Sequence, residues 1–451
     1  MDVLLDPIQF FKACNPTKTL ISANPEDERY YIDFAPARSS SRNPTSSIAE
    51  IFRTITRSDD PTYHLFTGHI GCGKSTELHK LESDLERHNF HVVYLDSAED
   101  LVMNDVDMSD IILCIARQVS TSLSQSDIHL DPQGFKGLLQ KTWKFLNTEI
   151  DVSGEASLPG LGTVAANTSG EATLDAGIWK LSTRLRSSPD ARARLRQLLE
   201  PQTDNLIELL NEELLQPAQT ALQERGKQGL VIIVDSLDRL ENSQIRNQAE
   251  YIFDIRGENL RRIRAHIIYT LPLSLMFSNC IGSLSDRFGG SPKVLPMVRI
   301  QNRDSTYHEA GMNLLQHMIL ARAFPTIPPE QRNEHVDLVF DTPETCTRLC
   351  QVSGGHVRNL LVLLYSCLQR EDPPINRDTL ESIVAVQRDS LARAITPDEW
   401  DILRHVQAQQ SVVGEANYQT LLRSLFVFEY RDEKGTWFGL NPILAEAQQL
   451  Q

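Results

Sequence analysis

The sequence predicts an α/β fold: a parallel five-stranded sheet covered by helices, then a helical domain, then a small helix-and-hairpin module. Three observations carry this. Apolar runs of strand length recur at 63–66, 91–96, 229–235, 265–270 and 293–300, and helical patterns separate them. From 302 to 389 the apolar spacing is helical throughout. From 395 to 451 two helical patterns give way to alternating residues on either side of a Gly-containing turn.

The elements follow in chain order. Residues 1–47 form an N-terminal segment of short apolar patches broken by Pro and Ser, with a brief strand expected at 30–34 and a loop at 38–44. Ser46 or Ser47 caps a helix carrying Ile48, Ile51, Phe52 and Ile55. Residues 48–301 hold the sheet. The strand at 63–66 precedes a Gly-rich loop and a helix with Leu78, Leu81 and Leu85 on one face. After the second strand, Ser109 is placed to cap a helix with Ile111, Ile112, Ile115 and Val119. The order β-α-β-α calls for parallel pairing.

Residues 131–228 exceed what one crossover needs and read as an insertion projecting from the sheet domain. Two similar pieces, 153–158 and 169–174, flank a Pro-Gly-Leu-Gly turn and suggest a β-hairpin. Arg184, Arg186, Arg192, Arg194 and Arg196 follow. They read as a solvated, acid-paired helix face in preference to a polyanion contact. Residues 302–389 read as a helical lid. Residues 395–451, with the hairpin 426–440, resemble a winged helix.

Composition narrows the function. The chain has 451 residues, 41% hydrophobic and 23% charged, enough for two or three domains. Its formal charge of −16 argues against a broad nucleic-acid surface and leaves room only for a local basic face. The seven scattered cysteines lack zinc-site spacing and read as reduced thiols of a cytoplasmic protein. No signal-peptide pattern opens the chain, and no apolar run is long enough to span a membrane.

The chemistry centres on Gly68-His69-Ile70-Gly71-Cys72-Gly73-Lys74-Ser75-Thr76, which spells a P-loop between a strand and a helix. Glycines allow a run of backbone N–H groups to approach a polyphosphate closely. Lys74 is placed for the β- and γ-phosphates and Ser75 for Mg²⁺. The apolar strand ending in Asp235 supplies a Mg²⁺ carboxylate, and Asp238 either orients water as a base or serves as a capping acid. Thr270, ending the next strand, either touches the γ-phosphate or bonds to backbone. Arg287 is either an arginine finger for a neighbouring subunit or a surface ion pair. Arg358, in the first turn of a helix after Gly354-Gly355, is placed to reach the γ-phosphate from the lid side.

These residues resemble AAA+-type P-loop ATPases, on the branch shared by origin-recognition/replication-initiator proteins and STAND and KAP ATPases. Gly68–Ser75 matches Walker A and the strand ending in Asp235 matches Walker B. Asp235-Ser236-Leu237-Asp238-Arg239 is similar to the acidic pair of STAND and KAP-type ATPases. Thr270 falls at sensor 1, Arg287 lies in an initiator-like arginine-finger box, and Arg358 falls at sensor 2. The resemblance implies ATP, a strand inserted between the P-loop and Walker B strands, and self-assembly through the Arg287 face. Ser236 stands where many AAA+ members carry Glu, which moves the catalytic burden to Asp238 and implies modest turnover. The expected activity is a slow ATPase acting as a nucleotide-dependent switch, with a separate effector protein, in a setting such as bacterial signalling or defence. The alternative is a DNA-acting initiator or loader. Four Lys/Arg against eight Asp/Glu in 395–451 weigh against it.

Overall fold

A computed structural model describes residues 4–39, 46–148, 188–240, 247–414 and 416–450. Five parallel strands form one sheet in the order β2-β3-β4-β1-β5. They are β1 (Tyr63–Gly68), β2 (His91–Asp96), β3 (Leu230–Asp235), β4 (His266–Thr270) and β5 (Lys293–Leu295). β4 lies between β1 and β3, as expected for this class. The continuous apolar run of β3 is explained by its place: all six residues are buried, with helices over both faces. Parallel register sets Asp96 beside Asp235 and Gly68 beside Leu295, so the polar residues gather along one edge of the sheet.

One face of the sheet is covered by the helices Ser47–Thr56 and Lys74–Arg87, with Ile51, Ile55, Leu78 and Leu81 in the core. Ser46 caps the first of these, its Oγ accepting from the Ala49 N–H at 3.2 Å. The other face is covered by Met108–Gln125 and by the described helices of 131–228. Here the structure corrects the expectation of a projecting insertion. Phe135, Leu195, Leu206, Leu210 and Leu214 share one core with β2, β3 and β4, because their helical spacing presents a continuous apolar face to the sheet. Arg192 and Arg196 pair with Asp105 at 2.9 and 2.6 Å, so this face is acid-paired as expected but half-buried and not solvated. The expected hairpin at 153–174, with Arg184 and Arg186, lies outside the described residues.

Three local expectations change. Asp107, not Ser109, caps the helix Met108–Gln125, in a capping box with Asp110. Residues 30–34 form no strand. The Asp33 carboxylate instead accepts from the Ala35 N–H at 2.8 Å and turns the chain. The strand expected at 293–300 ends at Leu295. Pro296 has no N–H to donate, and the Met297 N–H turns to Glu429 O at 3.1 Å.

The helices Glu309–Ala323, Pro343–Val352, Val357–Leu368 and Arg377–Arg393 share a second core. The N-terminal segment belongs to it, through Phe10, Cys14 and Phe34. The chain then forms Pro397–Gln409, Ala416–Arg423 and an antiparallel hairpin, β6 (Val427–Asp432) with β7 (Gly435–Leu440). Thr396 and Glu399 make a capping box at the start of Pro397–Gln409. Trp400, Leu403 and Leu421 form a small core of their own. Phe428, Tyr430 and Trp437 leave it and enter the sheet core beside Cys72 and Leu295.

Candidate functional site

β1 delivers the loop that begins at Gly68, and the helix Lys74–Arg87 leaves it. Gly71 and Gly73 take φ of 85° and 105°, a region that β-carbons disfavour. At Gly71 packing adds a second reason, since a Cβ there would lie 2.6 Å from His356 Cε1. Lys74 is buried and folded back, with Nζ donating to Gly68 O at 2.8 Å and His69 O at 2.9 Å. It also pairs with Asp238 at 2.8 Å. Burial pulls the ammonium pKa down, but the Asp238 carboxylate outweighs it and the net displacement is upward.

Asp235 ends β3 and is buried. Tyr94 OH donates to its Oδ2 at 2.6 Å, and the Ser236 N–H donates to Oδ1 at 2.6 Å. Ser236 holds φ of 65°, so the chain reverses immediately after the carboxylate and brings Asp238 back to Lys74. Thr270 is fully buried. Its hydroxyl accepts from the Leu237 N–H at 3.0 Å and donates to Val234 O at 3.4 Å. It therefore braces the turn that carries Asp238, the backbone-bonded alternative of the two read from sequence.

Lys74 and Asp238 border an open cleft, whose lining does not include Asp235, Tyr94 or Thr270. Gly71 to Thr76, Ser236, Asp238, Arg239 and Arg358 line it. Leu20, Tyr30, Tyr31, Ile32, Met318 and Leu361 also line it, together with the charged Lys18, Glu77 and Arg322, where the N-terminal segment meets the lid. Arg358 is thus where the sequence reading put it. Arg287 is not brought to the cleft of its own chain. Its guanidinium bonds Asp254 O, Phe253 O at 3.3 Å and Asp254 Oδ1 at 3.4 Å.

Sequence reasoning missed three contributors. Arg38 is buried over the loop, donating to Cys72 O at 2.5 Å and to Glu77 Oε1 at 3.1 Å, with Nε left without a partner. Tyr94 and Arg239 were passed over as a strand residue and a neighbour of Asp238. Only Arg239, inside the acidic motif, carried a local signal.

The loop is also held from outside. His356 caps the helix Val357–Leu368, its Nδ1 accepting from the Asn359 N–H at 2.9 Å, and its Nε2 bonds Ile70 O at 2.8 Å. The Arg358 N–H donates to Gly71 O at 3.1 Å. On the other side His69 Nε2 accepts from the Glu429 N–H of β6 at 2.9 Å. Burial pushes the His69 imidazole down to about 3 and that of His356 to about 4, so both are neutral at pH 7.

Residues 45–257 match the KAP family P-loop domain. No curated relative matches the chain. Among solved structures, a Walker-type ATPase of Pyrococcus abyssi is 15% identical with TM-score 0.36, covering 92% of this chain and 98% of its own. Cdc6p of Pyrobaculum aerophilum is 11% identical with TM-score 0.38, covering 98% and 96%. The Orc1 protein of Aeropyrum pernix, solved with DNA, is 12% identical with TM-score 0.36, covering 93% and 95%.

Proposed function

We propose that this chain, whose residues 45–257 form a P-loop NTPase domain of the KAP type, is an ATP-operated conformational switch with slow hydrolysis. One observation carries the reading. The phosphate loop is bonded on one side to the lid, through His356 and Arg358, and on the other to the terminal hairpin, through Glu429. Whatever fills the loop bears on both.

The residues fit a magnesium-bound nucleoside triphosphate. Mg²⁺ would be held by Ser75 and Asp235, and would neutralise charge on the phosphates. Lys74 exchanges Asp238 for phosphate oxygens. Asp238, released from its ion pair, then accepts the proton of the attacking water. Thr270 keeps Asp238 in place without touching the nucleotide. The base, read as adenine, would lie against Leu20, Tyr31, Ile32 and Leu361 of the same cleft.

Output goes to a separate effector through lid and hairpin, in a soluble setting. No described helix is long and apolar enough to cross a membrane. Self-assembly through the Arg287 face requires that guanidinium to leave Asp254. A DNA-acting initiator has less support. The helix Ala416–Arg423 lies against the core, with Gln419 Nε2 donating to Phe277 O at 3.3 Å, and its region is acidic.

Two variants test the site. Lys74→Ala is expected to lose ATP binding in a fluorescence titration. Asp238→Ala is expected to keep binding and lose about 10²–10⁴-fold in turnover. Wild-type turnover in Asp238→Ala would leave that carboxylate a structural role only.

A further inference from the structure

Arginines in this molecule generally find carboxylates: Arg303 pairs with Asp432 at 2.6 Å and Arg348 with Glu381 at 2.9 Å. Two do not. Among the described residues the guanidiniums of Arg239 and Arg358 have neither a hydrogen bond nor an ion pair, and both line the nucleotide cleft. They come from opposite walls. Arg239 ends the short turn after the Walker B strand, and Arg358 opens a lid helix. They are close enough that, after burial, the Arg239 charge is the next cause lowering the pKa of Arg358. Asp238 acts on Arg358 without bonding either arginine, and two like charges facing one cleft with no bonded carboxylate make a seat for an anion. Lys74, on the cleft floor, is already matched by Asp238.

We propose that Arg239 is a catalytic arginine supplied in cis, which with Arg358 clamps the terminal phosphate so that one chain holds a complete site. This rests on the nucleotide reading above and adds a residue and a stoichiometry to it. The Arg287 guanidinium, held by Asp254 and the Phe253 carbonyl, is not required. In the step itself, water oxygen bonds to the terminal phosphorus while the bond from that phosphorus to the bridging oxygen breaks. The electron pair leaves with the diphosphate, and the water proton passes to Asp238. Arg239 donates to the terminal phosphoryl oxygens and offsets the charge that develops around them. The clamp also distinguishes triphosphate from diphosphate, since only the former reaches between the two arginines.

The test uses the full chain with fluorescent ATP and ADP analogues, and ATP turnover. Arg239 is exposed on a short turn, so Arg239→Ala is expected to melt with wild type. Its ATP affinity should fall about 10-fold while ADP affinity holds, and turnover should drop about 10²–10³-fold. Arg239→Lys should recover only part, because a point charge replaces a fork. Mixing Lys74→Ala with Arg239→Ala chains should restore nothing, because each site needs both residues from one chain. An ATP-to-ADP affinity ratio unchanged by Arg239→Ala overturns the proposal, and so does restored turnover in the mixture. If wild type itself fails to bind either analogue, the nucleotide reading fails first and this inference falls with it.

Discussion

Asp235 shows how much of a site depends on a residue that a motif does not contain. The motif names the carboxylate, but its orientation is set by Tyr94, from the neighbouring strand, whose hydroxyl donates to Oδ2 at 2.6 Å. Burial raises the Tyr94 pKa, and Asp235 adds to it, so the phenol is a fixed donor at any working pH. Its ring stacks on His79 at 4.0 Å. Each oxygen of Asp235 is fixed by one donor, Oδ2 by Tyr94 and Oδ1 by the Ser236 N–H, so the carboxylate that is proposed to hold Mg²⁺ has a set orientation. Tyr94→Phe keeps the stack and removes the donor. It is expected to raise the Mg²⁺ midpoint for nucleotide binding about 10-fold, measured by titrating Mg²⁺ against a fluorescent ATP analogue, with Mg²⁺-free binding unchanged. Equal midpoints would show that the hydroxyl only fills space. Gly68 to Thr76, Asp235 and Asp238 were legible in the sequence because short-range spacing defines them. Tyr94 and Arg38 were not, because strand register and the return of the N-terminal segment bring them in, and neither leaves a local trace.

At the scale of elements, the hairpin, lid and loop meet in a tightly packed junction. Gly355 holds φ of 74°, and a Cβ there would lie 1.8 Å from Val298 O. Tyr430 OH donates to Gly354 O at 2.7 Å, and the Glu429 N–H reaches His69. Glu429 itself is fully buried, and burial raises its carboxyl from 4.5 to about 7, with Arg431 lowering it in part. The sign follows from linkage. The folded chain keeps the proton between pH 4.5 and about 7, where the unfolded chain has lost it. Stability from this group is therefore complete below pH 4.5 and declines as pH rises through 7. Glu429→Gln is expected to flatten that decline, so the variant should gain on wild type by about 3 kcal/mol between the two ends, read from melts across the range. Parallel slopes would mean that the carboxyl is charged throughout. The hairpin was legible from its alternation and turn. Its docking was not, because alternation marks two faces without naming what covers the second. The shortened β5 follows from the same docking: Met297 bonds to β6 and not to β1.

Across the whole molecule, the nucleotide cleft is assembled from segments far apart in the chain: residues 16–38, the P-loop, the Walker B turn and the lid. The N-terminal segment read only as short apolar patches broken by Pro and Ser, with no tie to the site. It shares a core with the lid and lines the cleft. A ligand spanning that cleft links the lid to the sheet domain, while the hairpin is bonded to both through Tyr430 and Glu429. On the proposed reading, closure on ATP would reach the surface without a partner chain, and assembly would be an output of the switch separate from its chemistry. Sedimentation of the full chain is expected to show larger species with ATP and Mg²⁺ than with ADP, while turnover per chain stays constant on dilution. The same monomer with both nucleotides would remove assembly and leave the single-chain site standing. Turnover that falls with dilution would reverse this, by requiring a neighbour's residue such as Arg287 to leave Asp254 and complete the site.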